Sequence, residues 1–174
     1  MVLRATQKVL RALPQSARDT DVSNTALGDW YVNRVVVDRR PLLLLVSSKS
    51  LLAVLTPARD VKSLPERLAH LVGERLRRLS VSENVVAAEV AATRAVTVGR
   101  TVDRSVMGQM VDFAKAVPHY LPVQEWDEST LRVAEEKLAE TPCRASRRFE
   151  EVIFPDRAAV QLLEAAWPSN STRH

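Results

Sequence analysis

Val98-Gly99-Arg100-Thr101-Val102-Asp103-Arg104-Ser105-Val106-Met107-Gly108-Gln109-Met110-Val111-Asp112-Phe113 reads as the end of a strand, a tight polar turn and the first three turns of a helix. Asp103 is placed to cap that helix, because its carboxylate can accept from the free N–H groups of the first turn. Val106, Met110, Phe113 and Val117 recur at helical spacing and make one apolar stripe. Arg104, Gly108 and Asp112 fall at i, i+4 and i+8, so an arginine and an aspartate share a second face with a glycine between them. A helix-interior glycine costs about 1 kcal/mol relative to alanine, and here it predicts close approach of a backbone or a ligand.

The strand that feeds this helix needs a sheet, and the sequence upstream supplies one. Trp30 to Val37 is β-branched and aromatic, Asp38-Arg39-Arg40-Pro41 is a turn, and Leu42 to Val46 is a continuous aliphatic run. Ser47-Ser48-Lys49-Ser50 breaks the run before Leu51 to Leu55 resumes and Pro57 stops it. This predicts an antiparallel meander whose middle strand is covered on both sides. Leu51, Leu52 and Leu55 would also suit one helical turn. Val2 to Thr6 reads as a short strand, followed by a helix through Lys8 and Leu13 that Pro14 ends. Residues 15–28 are polar, without periodicity, and read as a surface loop.

Two helices fill the space between the meander and the strand at 95–100. Ser63-Leu64-Pro65-Glu66 has capping-box spacing with proline in the first turn, and Leu64, Leu68, Leu71, Val72, Arg75, Leu76 and Leu79 form the stripe that follows. Ser82 starts a second helix, to about Thr93. Downstream, the central helix is expected to stop by Pro118. Asp127 caps another helix with Trp126 stapled against Leu131, and Asp156 is the expected cap of the last one. Phe149, Ile153 and Phe154 are apolar anchors between these two, and residues 168–174 read as a frayed tail. The expectation is one α+β domain over residues 1–174, with a small, mostly antiparallel sheet covered by four to six helices.

Composition narrows the function classes. Of 174 residues 46% are hydrophobic, enough for one proper core, and the longest apolar run is far too short to span a bilayer. The amino terminus lacks the uninterrupted apolar core of a secretory signal. Cys143 is the only cysteine, so neither an internal disulfide nor a thiolate zinc cluster can form, which suits a reducing cytosol. The net charge of +4 permits contact with nucleic acid. Support for it is weak, because only 5% of residues are aromatic and the basic groups Arg75, Arg77, Arg78 and Arg144, Arg147, Arg148 read as solvated faces.

No glycine-rich phosphate loop is present, and His70, His119 and His174 have no metal-ligand spacing, so neither a cofactor nor a metal is expected. Cys143 has no histidine beside it in sequence and reads as a small hydrophobe. The Arg104/Asp112 pair has two readings. It is either a clamp for a phosphate or carboxylate, or a salt-bridge network pinning the helix to the Trp30–Asn33 strand. Asp29, Trp30, Tyr31 and Asn33 form a second cluster at the start of that strand.

At these clusters the chain resembles a bacterial family of about this length known as a domain of unknown function. The resemblance is carried by Thr6-Gln7-Lys8-Val9-Leu10, by Leu27-Gly28-Asp29-Trp30-Tyr31-Val32-Asn33, and by the Leu42–Leu55 block ending in Thr56-Pro57. Its most specific part is the Arg-Ser-Val-x-Gly-x-Met-x-Asp-Phe run at 104–113, and Glu140-Thr141-Pro142-Cys143 is its last. The family pattern prefers asparagine where this chain has Asp103 and Val111. It favours glycine soon after Pro142, where this chain has Arg144 and Ala145. The resemblance implies that Lys8, Trp30, Asn33, Arg104, Ser105 and Asp112 share one surface. The resulting expectation is a small cytosolic bacterial binding module for an anionic ligand or a partner protein, without membrane contact. The alternative is an enzyme acting on a phosphate-bearing substrate, nucleotide or RNA, through Arg104 and Asp112.

Overall fold

A computed structural model describes residues 1–144 and 152–168. In chain order the elements are β1 (Val2–Ala5), α1 (Gln7–Leu10), β2 (Trp30–Val37), β3 (Arg40–Ser47), β4 (Ala53–Pro57), α2 (Leu64–Leu76), α3 (Glu83–Thr93), β5 (Thr97–Arg100), α4 (Arg104–Tyr120), α5 (Glu128–Ala139) and α6 (Pro155–Ala166). The five strands form one sheet in the order β4-β3-β2-β1-β5. The meander β2-β3-β4 is antiparallel as expected, but β1 runs parallel to both β2 and β5. The sheet is therefore mixed rather than mostly antiparallel. The cause is the long connection from β1 to β2 through α1 and residues 11–29, which carries the chain back to the end of the sheet where β1 began.

Alternation along the strands divides the core into two layers. Trp30, Val32, Leu43 and Leu45 point to one face, where Leu68, Val72, Val86 and Leu163 of α2, α3 and α6 cover them. Tyr31, Leu42, Leu44 and Val46 point to the other, beneath Val106, Met110, Phe113 and Val117 of α4 and Leu131 and Leu138 of α5. This accounts for the unbroken Leu42–Val46 run, whose five side chains are fully buried on both faces. Asp38 and Arg39 both adopt positive φ, 50° and 62°, the tight two-residue turn that matches the twist of the β2-β3 hairpin.

Both outer strands have free backbone groups covered. On β4 the Leu55 N–H donates to Glu135 Oε1 at 2.6 Å, and the Ala53 carbonyl accepts from Arg75 Nε at 3.2 Å. On β5 the Val98 carbonyl accepts from the Ser16 and Ala17 N–H groups at 2.8 Å, and the Val98 N–H donates to Ser16 Oγ at 3.2 Å. Residues 15–28, expected as a surface loop, are thus partly built into the fold. Ala17, Ala26 and Leu27 are buried. Arg4, only 1% exposed, donates to the carbonyls of Arg18, Asp19 and Asp21 and to Asp29 Oδ2. Glu89, also buried, accepts from the Ala26 and Leu27 N–H groups and from Trp167 Nε1.

Several local expectations are corrected. The Leu51–Leu55 segment resumes as strand only from Ala53, after Leu51 takes a positive φ of 61°. Ser63 does not close a capping box: its hydroxyl donates to the Asp60 carbonyl and accepts from Arg67 Nε instead. α4 runs through Pro118 to Tyr120, since a proline in the last turn removes one donor without preventing the helix from ending there. α6 begins at Pro155 with Phe154 as its N-cap, and Asp156 lies in the first turn, where its charge suits the helix dipole. Asp127 does cap α5, in a reciprocal box with Thr130. Phe149, Arg147, Arg148 and residues 169–174 of the expected tail lie outside the described residues; Pro168 is exposed.

Candidate functional site

The N-terminus of α4 is fixed twice. Asp103 Oδ1 accepts from the Ser105 and Val106 N–H groups at 2.8 and 3.3 Å, as the sequence predicts. The Asp103 N–H in turn donates to the Tyr31 hydroxyl at 3.2 Å. Burial holds the Tyr31 phenol above its ordinary value of 10.0, so it stays neutral as that acceptor. With its apolar stripe turned to the sheet, α4 shows Arg104, Gly108 and Asp112 to solvent.

These residues line one groove of about 450 Å³, together with Ser105, Gln109, Val111 and Arg144. Arg144 is placed there by the residue before it. Cys143 pairs its backbone with Ile153 in an antiparallel bridge, the two N–H···O bonds measuring 2.8 and 2.9 Å. A Cβ built on Gly108 would meet nothing within 4 Å. The expected close approach at this glycine is absent, and Gly108 instead leaves an open notch along the groove.

Arg104 and Asp112 pair neither with each other nor with any other charge among the described residues. The salt-bridge network that would pin α4 to β2 is therefore not formed there. The two elements are joined instead by apolar packing of the α4 stripe and by the hydrogen bond from the Asp103 N–H to the Tyr31 hydroxyl.

Of the six residues expected on one surface, the structure brings three together: Arg104, Ser105 and Asp112. Trp30 is fully buried in the layer on the opposite side of the sheet. Asn33 is half-buried and its Oδ1 accepts from Thr6 Oγ1 at 3.0 Å and from the Arg34 N–H at 2.9 Å. Lys8 is exposed on α1, and neither it nor Asn33 lines the groove. Gln109 and Arg144 are the polar groove residues that sequence reasoning did not assign. The i, i+4 spacing of Ser105 and Gln109 was the available signal for one of them.

Cys143 is buried, and its thiol is pushed up to about 11 by that burial and by the charge of Asp112. Its burial matches the small hydrophobe read from sequence, and the raised thiol disfavours the thiolate. Among the described residues no three His, Cys, Asp or Glu side chains converge as a metal site.

A second charged cleft, of about 260 Å³, runs beside β4 and is lined by His70, Glu74, Arg78, Arg132 and Glu135 among others. The basic run at 75–78 was expected to be solvated, which holds for the exposed Arg77 but not for Arg75 and Arg78. Arg75 is fully buried, with Nη1 3.2 Å from Glu136, while Arg78 bridges Glu135 and Glu136. Every arginine lining this cleft has a partner. Arg67 bonds Ser63 and Asp60, Arg78 the two glutamates, and Arg132 approaches Glu74 at 3.8 Å.

The family described as a domain of unknown function (DUF6933) has a sequence model that matches residues 2–158, and the chain belongs to that family. No curated protein matches it.

Proposed function

We propose that this member of the family is a bacterial, cytosolic binding module whose α4 groove takes an anionic group. One observation carries the reading: Arg104 and Arg144 share the groove with no acidic partner among the described residues. A free guanidinium presents a rigid fork that matches a phosphate or carboxylate in two hydrogen bonds. The Ser105 hydroxyl and the Gln109 amide add neutral donors beside it. The first free N–H groups of α4 already bond Asp103, so side chains rather than the helix end supply the recognition. The compartment is inferred from the lone Cys143 and from the lack, among the described residues, of a helix long and apolar enough to cross a membrane.

Titration calorimetry with inorganic phosphate, acetate and a phosphomonoester tests the reading. Binding should weaken at least about tenfold in Arg104→Ala and Arg144→Ala, since a charge-assisted bond contributes roughly 1.5–3 kcal/mol. Stability of both variants should stay within about 0.5 kcal/mol of wild type, as for other exposed substitutions. Undiminished binding in the double variant, or no binding of any anion, would sink it.

Asp112 in the same groove supports a second reading, an enzyme acting on a nucleotide or RNA with Asp112 as base and Arg104 stabilising charge. Turnover that disappears in Asp112→Asn would establish it, and inactivity across a nucleotide and RNA panel would remove it.

A further inference from the structure

The groove is not uniformly basic, and this bears on the class of ligand. Arg104 and Asp112 stand eight residues apart on one helix, about 12 Å along its axis at 1.5 Å rise per residue. They are too far apart to neutralise each other, and neither finds another partner among the described residues. A plain anion would use Arg104 and Arg144 and would still be repelled by Asp112 in the same groove. A carboxylate in such a place can only accept hydrogen bonds, from N–H or O–H donors, because it has no proton of its own to give. The groove therefore suits a ligand with an anion at one end and a hydrogen-bond donor, such as an amine, at the other.

Between the two ends lies the notch at Gly108, where a Cβ would meet nothing within 4 Å, and beside Asp112 lies Val111, 46% exposed. The notch admits the middle of an extended ligand, and the valine offers an apolar edge to a flat ring. We propose that the groove binds a nucleoside monophosphate whose base carries an exocyclic amine, with the phosphate on Arg104 and the amine on Asp112. This rests on the anion-groove reading and deepens it. Aspartate is a suitable reader of such an amine, and it meets a carbonyl in the same position with repulsion.

Two pairs of nearly isosteric nucleotides isolate that contact: cytidine against uridine monophosphate, and adenosine against inosine monophosphate. In each pair an amine is replaced by a carbonyl. In calorimetry on the full chain the amino member of at least one pair should bind about tenfold more tightly, the discrimination expected of one good polar contact. Asp112→Ala should erase that preference and leave inorganic phosphate bound as well as, or better than, in wild type. Arg104→Ala should weaken both members of the pair equally. Thermal melts of the two variants that match wild type would show that the losses are not unfolding. If neither pair is discriminated, or if a preference survives Asp112→Ala, the nucleotide assignment is overturned. Arg104-dependent binding of phosphate would still leave the anion reading standing. If neither nucleotides nor phosphate nor acetate bind, both fall together.

Discussion

The cleft beside β4 and the groove along α4 are made of the same materials, arginine and carboxylate on helices that pack against one sheet. They differ in what those groups touch. At β4, Arg75 and Glu135 reach the backbone of the outer strand, bonding the Ala53 carbonyl and the Leu55 N–H, while Glu136 and Arg78 neutralise them. Along α4, Arg104, Asp112 and Arg144 touch no charged partner among the described residues. A charge bonded to main chain is part of the architecture. A charge held in the open by a capped helix is available to something else. The contrast also ranks the two places by what a mutation should do.

The sharpest break in that comparison is Glu135→Ala. Glu135 is 3% exposed, and truncating it strands the Leu55 N–H and leaves Arg78 and Arg75 with one carboxylate fewer. Urea unfolding should show a loss of about 3 kcal/mol, the size expected when one partner of a buried ion pair is removed. A loss below about 1 kcal/mol, the worth of one ordinary hydrogen bond, would mean that the cleft is as dispensable as the groove.

A smaller effect separates the charge of Glu135 from its hydrogen bond. Burial holds its carboxyl above the ordinary 4.5, against the pull of the Leu55 N–H and Arg78. Folding therefore favours the protonated form, so the group's contribution to stability is full below 4.5 and declines as pH rises through the folded-state value. Glu135→Gln keeps an acceptor for Leu55 but does not titrate. Wild type should accordingly lose stability relative to Glu135→Gln on going from acid to neutral pH. A constant difference between the two melts across that range would refute the burial argument.

On the groove side the expected change has the opposite sign. Gly108 is exposed in a helix interior with nothing near its missing Cβ. Gly108→Ala should stabilise the protein by up to about 1 kcal/mol, the propensity difference between the two residues. The same methyl group partly fills the notch, so affinity for an extended ligand should fall. A stabilised variant with full affinity would show that the ligand does not cross Gly108.

Much of the frame was legible because it rests on local rules. The Asp103 and Asp127 caps, the Val106–Val117 stripe and the β2-β3-β4 meander each follow from spacing over a few residues. Arg75 was half legible: it falls in register with Leu68, Val72 and Leu79 on the apolar stripe, so the helix was bound to bury it, but nothing nearby shows the strand carbonyl that receives it. Trp30 was legible and was overlooked. Alternation along β2 puts it on the face opposite Tyr31, hence opposite α4, and no shared surface with Arg104 was open to it. The parallel seat of β1 between β2 and β5 depends on strands some 25 and 95 residues away, which no local pattern encodes. Arg144 joins the groove for the same reason, through the distant Cys143–Ile153 bridge.

The cover on β5 has a consequence for how the protein behaves among other chains. An outer strand with open N–H and C=O groups is a template on which a second molecule can add its own strand. Here that template is hidden by residues 16 and 17, and the Arg4 guanidinium, which grips three carbonyls of the same segment, holds them there together with the Asp19–Arg100 ion pair. Arg4 is thus a guard on solubility. Loss of its grip should loosen the residues that cover β5, and a strand edge opened in that way favours self-association of partly unfolded molecules.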